Sequence, residues 1–93
     1  MAEISIVQEH HMTAPMARAA AQKVADKLAA EYGVTCTWEG DNVLRFARTG
    51  VDGSLTLSDQ CAALRIKLGF LMSAFASTIE AKATDKMRQV FVS

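Results

Sequence analysis

Few residues of this chain have types and spacings suited to chemistry. His10 and His11 stand side by side between Glu9 and Met12. Neighbouring side chains on a strand or loop point in different directions, so a doublet does not by itself chelate one metal ion. Glu9 is the only acidic group beside it, and further ligands would have to be brought in by the fold. The plainer expectation is a helix-entry loop in which one imidazole bonds to backbone. Cys36 shares strand parity with Val34 and Trp38, whereas Cys61 shares it with Ala63 and Arg65. The two thiols are thus expected on opposite faces of a sheet, free rather than bridged, and at no metal-ligand spacing.

Acid–base chemistry finds no foothold either. Glu39, Asp41, Asp52 and Asp59 fall at turns or strand ends, where acidic side chains usually satisfy local backbone groups. Asp26, Glu31, Glu80 and Asp85 fall on solvated helix faces, and no Ser-His-acid set can be assembled. Gly50-Val51-Asp52-Gly53 reads as a tight turn needing positive φ, not as a phosphate loop. The expectation is a protein that is not an enzyme, with no catalytic residues, metal ligands or cofactor.

The elements that would position these groups follow from periodicity. Ile4-Ser5-Ile6-Val7 alternates as a short first strand. Thr13 can cap a helix whose first turn accepts Pro15, and Ala17, Ala20, Ala21, Val24, Leu28 and Tyr32 then recur at helical spacing. The spacing predicts a helix over 14–32, closed by Gly33 in the left-handed conformation. From Val34 the period drops to two. Strands carrying Cys36 and Trp38, Leu44 and Phe46, Leu55 and Leu57, then Ala62, Leu64, Ile66 and Leu68 make an antiparallel meander with one wet face. Leu71, Phe75, Ile79, Ala83, Met87 and Val90 predict a second helix over 71–92, about 33 Å long.

The expected fold is therefore α+β with order β-α-β-β-β-β-α: one curved antiparallel sheet and both helices on its apolar face, a reduced helix-grip (START-like) arrangement. At 93 residues, 51% of them hydrophobic and with a single proline, residues 1–93 fit one small domain and not a disordered chain. Such a domain buries only about 60–65% of its unfolded surface, so each large apolar residue counts. No apolar run reaches the ~20 residues of a membrane span. The start Met1-Ala2-Glu3-Ile4 has no basic or long apolar leader region, and the expected location is cytoplasmic.

Ten Lys and Arg balance ten Asp and Glu, which argues against a nucleic-acid partner held by bulk charge. Arg45, Arg65 and Lys67 do face outward among Thr35, Thr37, Ser54 and Thr56. The sheet aromatics Trp38 and Phe46 face inward, however, leaving no stacking platform for bases. The more informative segment is Gly69-Phe70-Leu71-Met72-Ser73-Ala74-Phe75-Ala76. On a helix, Phe70, Leu71, Met72 and Phe75 cover more surface than one core-facing stripe buries, so Phe70, Leu71 and Met72 are expected to contact an apolar partner. The plainer reading packs Phe70 and Met72 against the first helix or the strand edge.

Read together, Ile4-x-Ile6, His10, Tyr32-Gly33, Trp38-Glu39-Gly40-Asp41, Leu44-x-Phe46-x-Arg48, Gly50-Val51-x-Gly53 and Leu68-Gly69-Phe70-Leu71 carry a resemblance over nearly the whole chain. They resemble the small polyhydroxyalkanoic acid (PHA) system protein family, encoded near polyester-granule genes in bacteria. His11 and the Ala74-Phe75-Ala76 run depart from that family's pattern. The resemblance implies a non-enzymatic accessory role, granule-associated or regulatory, with the granule surface or its proteins as partner. It carries over no catalytic or binding residues. An apolar inclusion offers a surface on which an amphipathic segment can lie. The helix is also needed for the core, so granule contact must be confined to Phe70, Leu71 and Met72. Two alternatives stay open: a carrier of a small apolar ligand, with a cavity lined by Trp38, Phe46, Leu57, Ile66 and Phe75, and a homodimeric interaction module joined at a strand edge or the Phe70 region.

Overall fold

The computed structural model describes residues 2–91. Five strands, β1 (Ala2–Glu9), β2 (Thr35–Glu39), β3 (Val43–Arg48), β4 (Val51–Leu57) and β5 (Cys61–Leu68), form one antiparallel sheet. Helix α1 (Ala14–Tyr32) separates β1 from β2, and a short 3-10 turn (Ser73–Phe75) leads into α2 (Ala76–Val90). The element order is β-α-β-β-β-β-α. The sheet runs β1-β5-β4-β3-β2, so the meander β2 to β5 is completed by the first strand added beside the last.

Register aligns the apolar parities of the strands on one face. Ile4 pairs with Ile66, Ile6 with Leu64, Leu64 with Leu55, Leu55 with Leu44, and Leu44 with Trp38. Ala20, Ala21, Val24 and Leu28 of α1 and Ile79, Ala83 and Met87 of α2 join that face in one buried cluster, so both helices cover the same side. Small residues on α1 let its backbone lie close to the sheet. Gly53 serves the same closeness within the sheet, since a Cβ there would meet the Arg65 carbonyl oxygen at 2.7 Å.

The ends of α1 follow the local chemistry of the sequence. Thr13 accepts from the Met16 amide, proline sits in the first turn, and Gly33 adopts φ 69° while its N–H donates to the Ala29 carbonyl. Cys36 lies on the helix side and donates to the Ala25 carbonyl at 3.6 Å; burial pushes its thiol pKa up, with the nearby Asp26 charge adding to the effect. Cys61 has the opposite parity and is likewise a free thiol.

Three expectations need correction. The turn before β4 is confined to Thr49-Gly50: Gly50 has φ 82°, but Val51 already pairs with Arg48 and Leu68, and Gly53 lies within β4 without a positive φ. The first strand is longer than residues 4–7. The second helix starts at Ala76 rather than at 71, which makes it about 22 Å long. The Gly69 N–H is held by the Gly50 carbonyl at 2.8 Å, so the chain must first cross the end of the sheet before it can descend over β1. Its expected end at Val92 lies outside the described residues.

The two helices are tied by Glu31, whose carboxylate meets Lys27 at 2.8 Å and Lys82 of α2 at 3.1 Å. Hydrogen bonds from Lys27 and Lys82 hold its pKa below the ordinary Glu value of about 4.3. A depressed carboxylate pKa contributes stability that is present above the unfolded value and lost as pH falls through the folded one. Urea midpoints of the wild type should therefore drop more between roughly pH 5 and pH 3 than those of Glu31→Gln. Parallel pH profiles would contradict this role.

Candidate functional site

The segment after β5 is built by backbone hydrogen bonds, not by helix propensity. Beyond the Gly69–Gly50 bond, the Gly69 carbonyl accepts from Met72 N at 3.1 Å and Ser73 N at 3.0 Å, and Ser73 Oγ donates to the Phe70 carbonyl at 2.8 Å. This closed turn points its first two side chains away from the body. Phe70 is 83% and Leu71 84% exposed, and Phe75 at the end of the 3-10 turn is 54% exposed. Met72 turns back, packs against the core and lies over Gly50, where an added Cβ would come within 3.3 Å of Met72 Cγ. The packed reading thus holds for Met72 and not for Phe70. The large exposed groups sit on a spur beside the sheet end, because the chain is turning there and no neighbour covers it.

Of the five residues considered for a ligand cavity, Phe46 and Ile66 line a void of about 10 Å³, together with Leu28, Tyr32 and Ile79. That is roughly the space of one water molecule. Trp38, Leu57 and Phe75 do not line it. Trp38 instead takes the Arg18 guanidinium over its ring, 4.7 Å from the ring centre, and donates to Gln22 Oε1 at 2.9 Å. The side chains of α1 and α2 fill the space between sheet and helices, so these five residues share no ligand-sized chamber.

The outward cations of the sheet are largely matched. Arg65 meets Glu3 at 2.7 Å and Arg45 meets Glu39 at 2.6 Å. Each pair raises the arginine pKa, and Arg65 lowers that of Glu3. A surface this internally paired offers a polyanion little uncompensated charge.

The histidine doublet splits. His11 is exposed, whereas His10 is 2% exposed, because its backbone N–H continues the β1–β5 ladder onto the Gln60 carbonyl at 2.8 Å. Its ring packs on Phe91 with centroids 5.5 Å apart, and its Nδ1 accepts from the Met12 amide at 3.2 Å. No group of three or more His, Cys, Asp or Glu among the described residues is placed to hold a metal ion. Periodicity along the second helix stopped at Val90 and missed Phe91, although this ring is fully buried and closes the core over β1. Phe91→Ala should cost about 3–5 kcal/mol of stability by chemical denaturation. A loss below about 1 kcal/mol would show that Phe91 is not a core residue.

Comparisons with known proteins bear on this surface. A search of curated proteins returned no match to the chain. A family model described as "putative polyhydroxyalkanoic acid system protein" matches residues 4–91. That span runs from the first buried residue of β1 to the ring on His10, covering all of the sheet but the first two residues of β1, both helices and the spur. The chain therefore belongs to the polyhydroxyalkanoic acid system protein family.

Proposed function

We propose that this protein is a non-catalytic accessory of the polyester storage system and that it touches the apolar surface of a storage granule through Phe70 and Leu71, with Phe75 beside them. The observation that carries this reading is the near-complete exposure of two large apolar side chains on a hydrogen-bonded turn outside the core. Exposed groups of that size mark contact with a partner or an apolar surface. The spur precedes α2, so docking it takes nothing from the sheet–helix core. The competition between binding and folding, expected of a helix that serves both, does not arise.

Magnitude sets the kind of contact. Burying a Phe or Leu side chain yields about 1.5–3 kcal/mol, so two yield roughly 3–6 kcal/mol before the cost of immobilising the protein. One spur therefore gives weak, reversible attachment, suited to a regulator that exchanges with solution. Arg65, Lys67 and the other charges of the open sheet face stay hydrated in this arrangement. No helix among the described residues is long and apolar enough to cross a membrane, so lasting anchorage by a spanning helix of these elements is not part of the scheme.

Partition onto purified polyhydroxybutyrate particles tests the reading. Phe70→Asp and Leu71→Asp should each lower bound protein at least about tenfold, the loss of one buried side chain, with unchanged circular dichroism. Equal partition of folded wild type and variants would overturn it. So would a dimer mass in light scattering that falls to monomer in Phe70→Asp without any binding to particles, because the spur would then serve self-association.

A further inference from the structure

At the end of the sheet opposite the spur, the start of α1, the β2–β3 turn and the β4–β5 turn surround an open groove of about 520 Å³. Met12, Pro15 and Leu57 give it an apolar wall, while His10 and Arg18 contribute polar groups. Three buried side-chain polar atoms have no hydrogen-bond partner among the described residues, and two of them, His10 Nε2 and Arg18 Nε, belong to residues of this groove. Because His10 Nδ1 accepts the Met12 amide, Nε2 carries the proton of the neutral ring and is a donor. Arg18 Nε is a donor in every state. A buried donor without an acceptor is costly, and although the Trp38 ring lies against the Arg18 guanidinium, the described residues supply neither donor with a hydrogen-bond acceptor.

We infer that this groove binds a small hydroxy monocarboxylic acid, its carboxylate taken by Arg18 and His10 and its carbon chain lying on Met12, Pro15 and Leu57. The positive end of the α1 dipole favours the same placement of negative charge. The donor proton on Nε2 and the fixed charge of Arg18 do not suit a cation. Asp41, Asp59 and Ser58 also line the groove; their oxygens accept hydrogen bonds, and the two carboxylates repel a dianion. A hydroxyl along the chain satisfies them, whereas phosphate or sulfate does not. Asp41 now stands 3.7 Å from Arg18 with its side chain 92% exposed, a loose pair that a ligand carboxylate can displace. The choice of a hydroxyalkanoate as the acid rests on the storage-system reading. The donor arrangement stands apart from it.

The test is a 1H–15N NMR titration of the full chain with 3-hydroxybutyrate, butyrate and sulfate at constant ionic strength. Saturable shifts are expected at Met12, Arg18, Ser58 and Asp59, with 3-hydroxybutyrate bound more tightly than butyrate and sulfate not saturating. Arg18→Gln should weaken binding about tenfold, the loss of one charge-assisted hydrogen bond. Asp41→Asn should strengthen butyrate binding several-fold by removing the competing carboxylate. His10→Phe should abolish binding; Arg18→Gln, on a partly exposed side chain, decides the matter if that variant does not fold. No saturation with either acid, unchanged affinity in Arg18→Gln, or equal binding of sulfate would overturn the site. A lack of preference over butyrate would overturn the hydroxy-acid assignment. Phe70→Asp should leave the titration unchanged, so failure here and failure of granule partition are separable.

Discussion

One constraint organises this molecule: a five-stranded sheet with a single apolar face must be covered completely by only two helices. The strands meet in a register that puts Ile4, Ile66, Leu64, Leu55 and Leu44 on that face, and a slip by one residue in any ladder would turn an apolar set toward water. Helix α1 can lie close because its buried stripe is mostly alanine. Helix α2 brings fewer but larger groups, and Phe91 completes the cover beyond its last turn. Burial of this face supplies most of the favourable free energy that a chain of this size can gather. Of the Glu31 ion pairs only that to Lys82 spans the two helices, and it adds little to that sum.

Much of this was legible in the chain itself, since the core elements announce their period. Thr13, Pro15 and Gly33 bracket the first helix by local chemistry that needs no tertiary partner. Alternation along Leu44-x-Phe46 and Leu64-x-Ile66-x-Leu68 fixes which face is buried. The segment 70–75 was not legible in that way, because its residues are compatible with a helix and only a long-range bond decides otherwise. The Gly69 N–H is captured by Gly50, nineteen positions earlier (69 − 50), and sequence spacing carries no sign of that closure. The consequence is a turn where periodicity predicts a helical stripe, and side chains that a helix would partly bury stand free.

Two further features were hidden for the same reason. Trp38 has core parity and packs against the core's margin, yet it sits on edge strand β2, where a cation from α1 also lies over its ring. His10 follows the last residue of β1 and looks like a loop residue, but the ladder to Gln60 and the ring of Phe91 draw it inside. In both cases the deciding contact comes from a residue that the local pattern does not point to.

The hairpin topology sends β5 from the β4–β5 turn to the spur, so the spur and His10 occupy opposite poles. They are separated by the length of an eight-residue strand, about 25 Å. Helix α2 runs the same way back, beginning just after Phe75 and ending at the ring over His10. A body seated tip-down on a hydrophobic particle thus stands like a peg. Its far tip is held clear of the interface, open to exchange with whatever dissolves in the surrounding water.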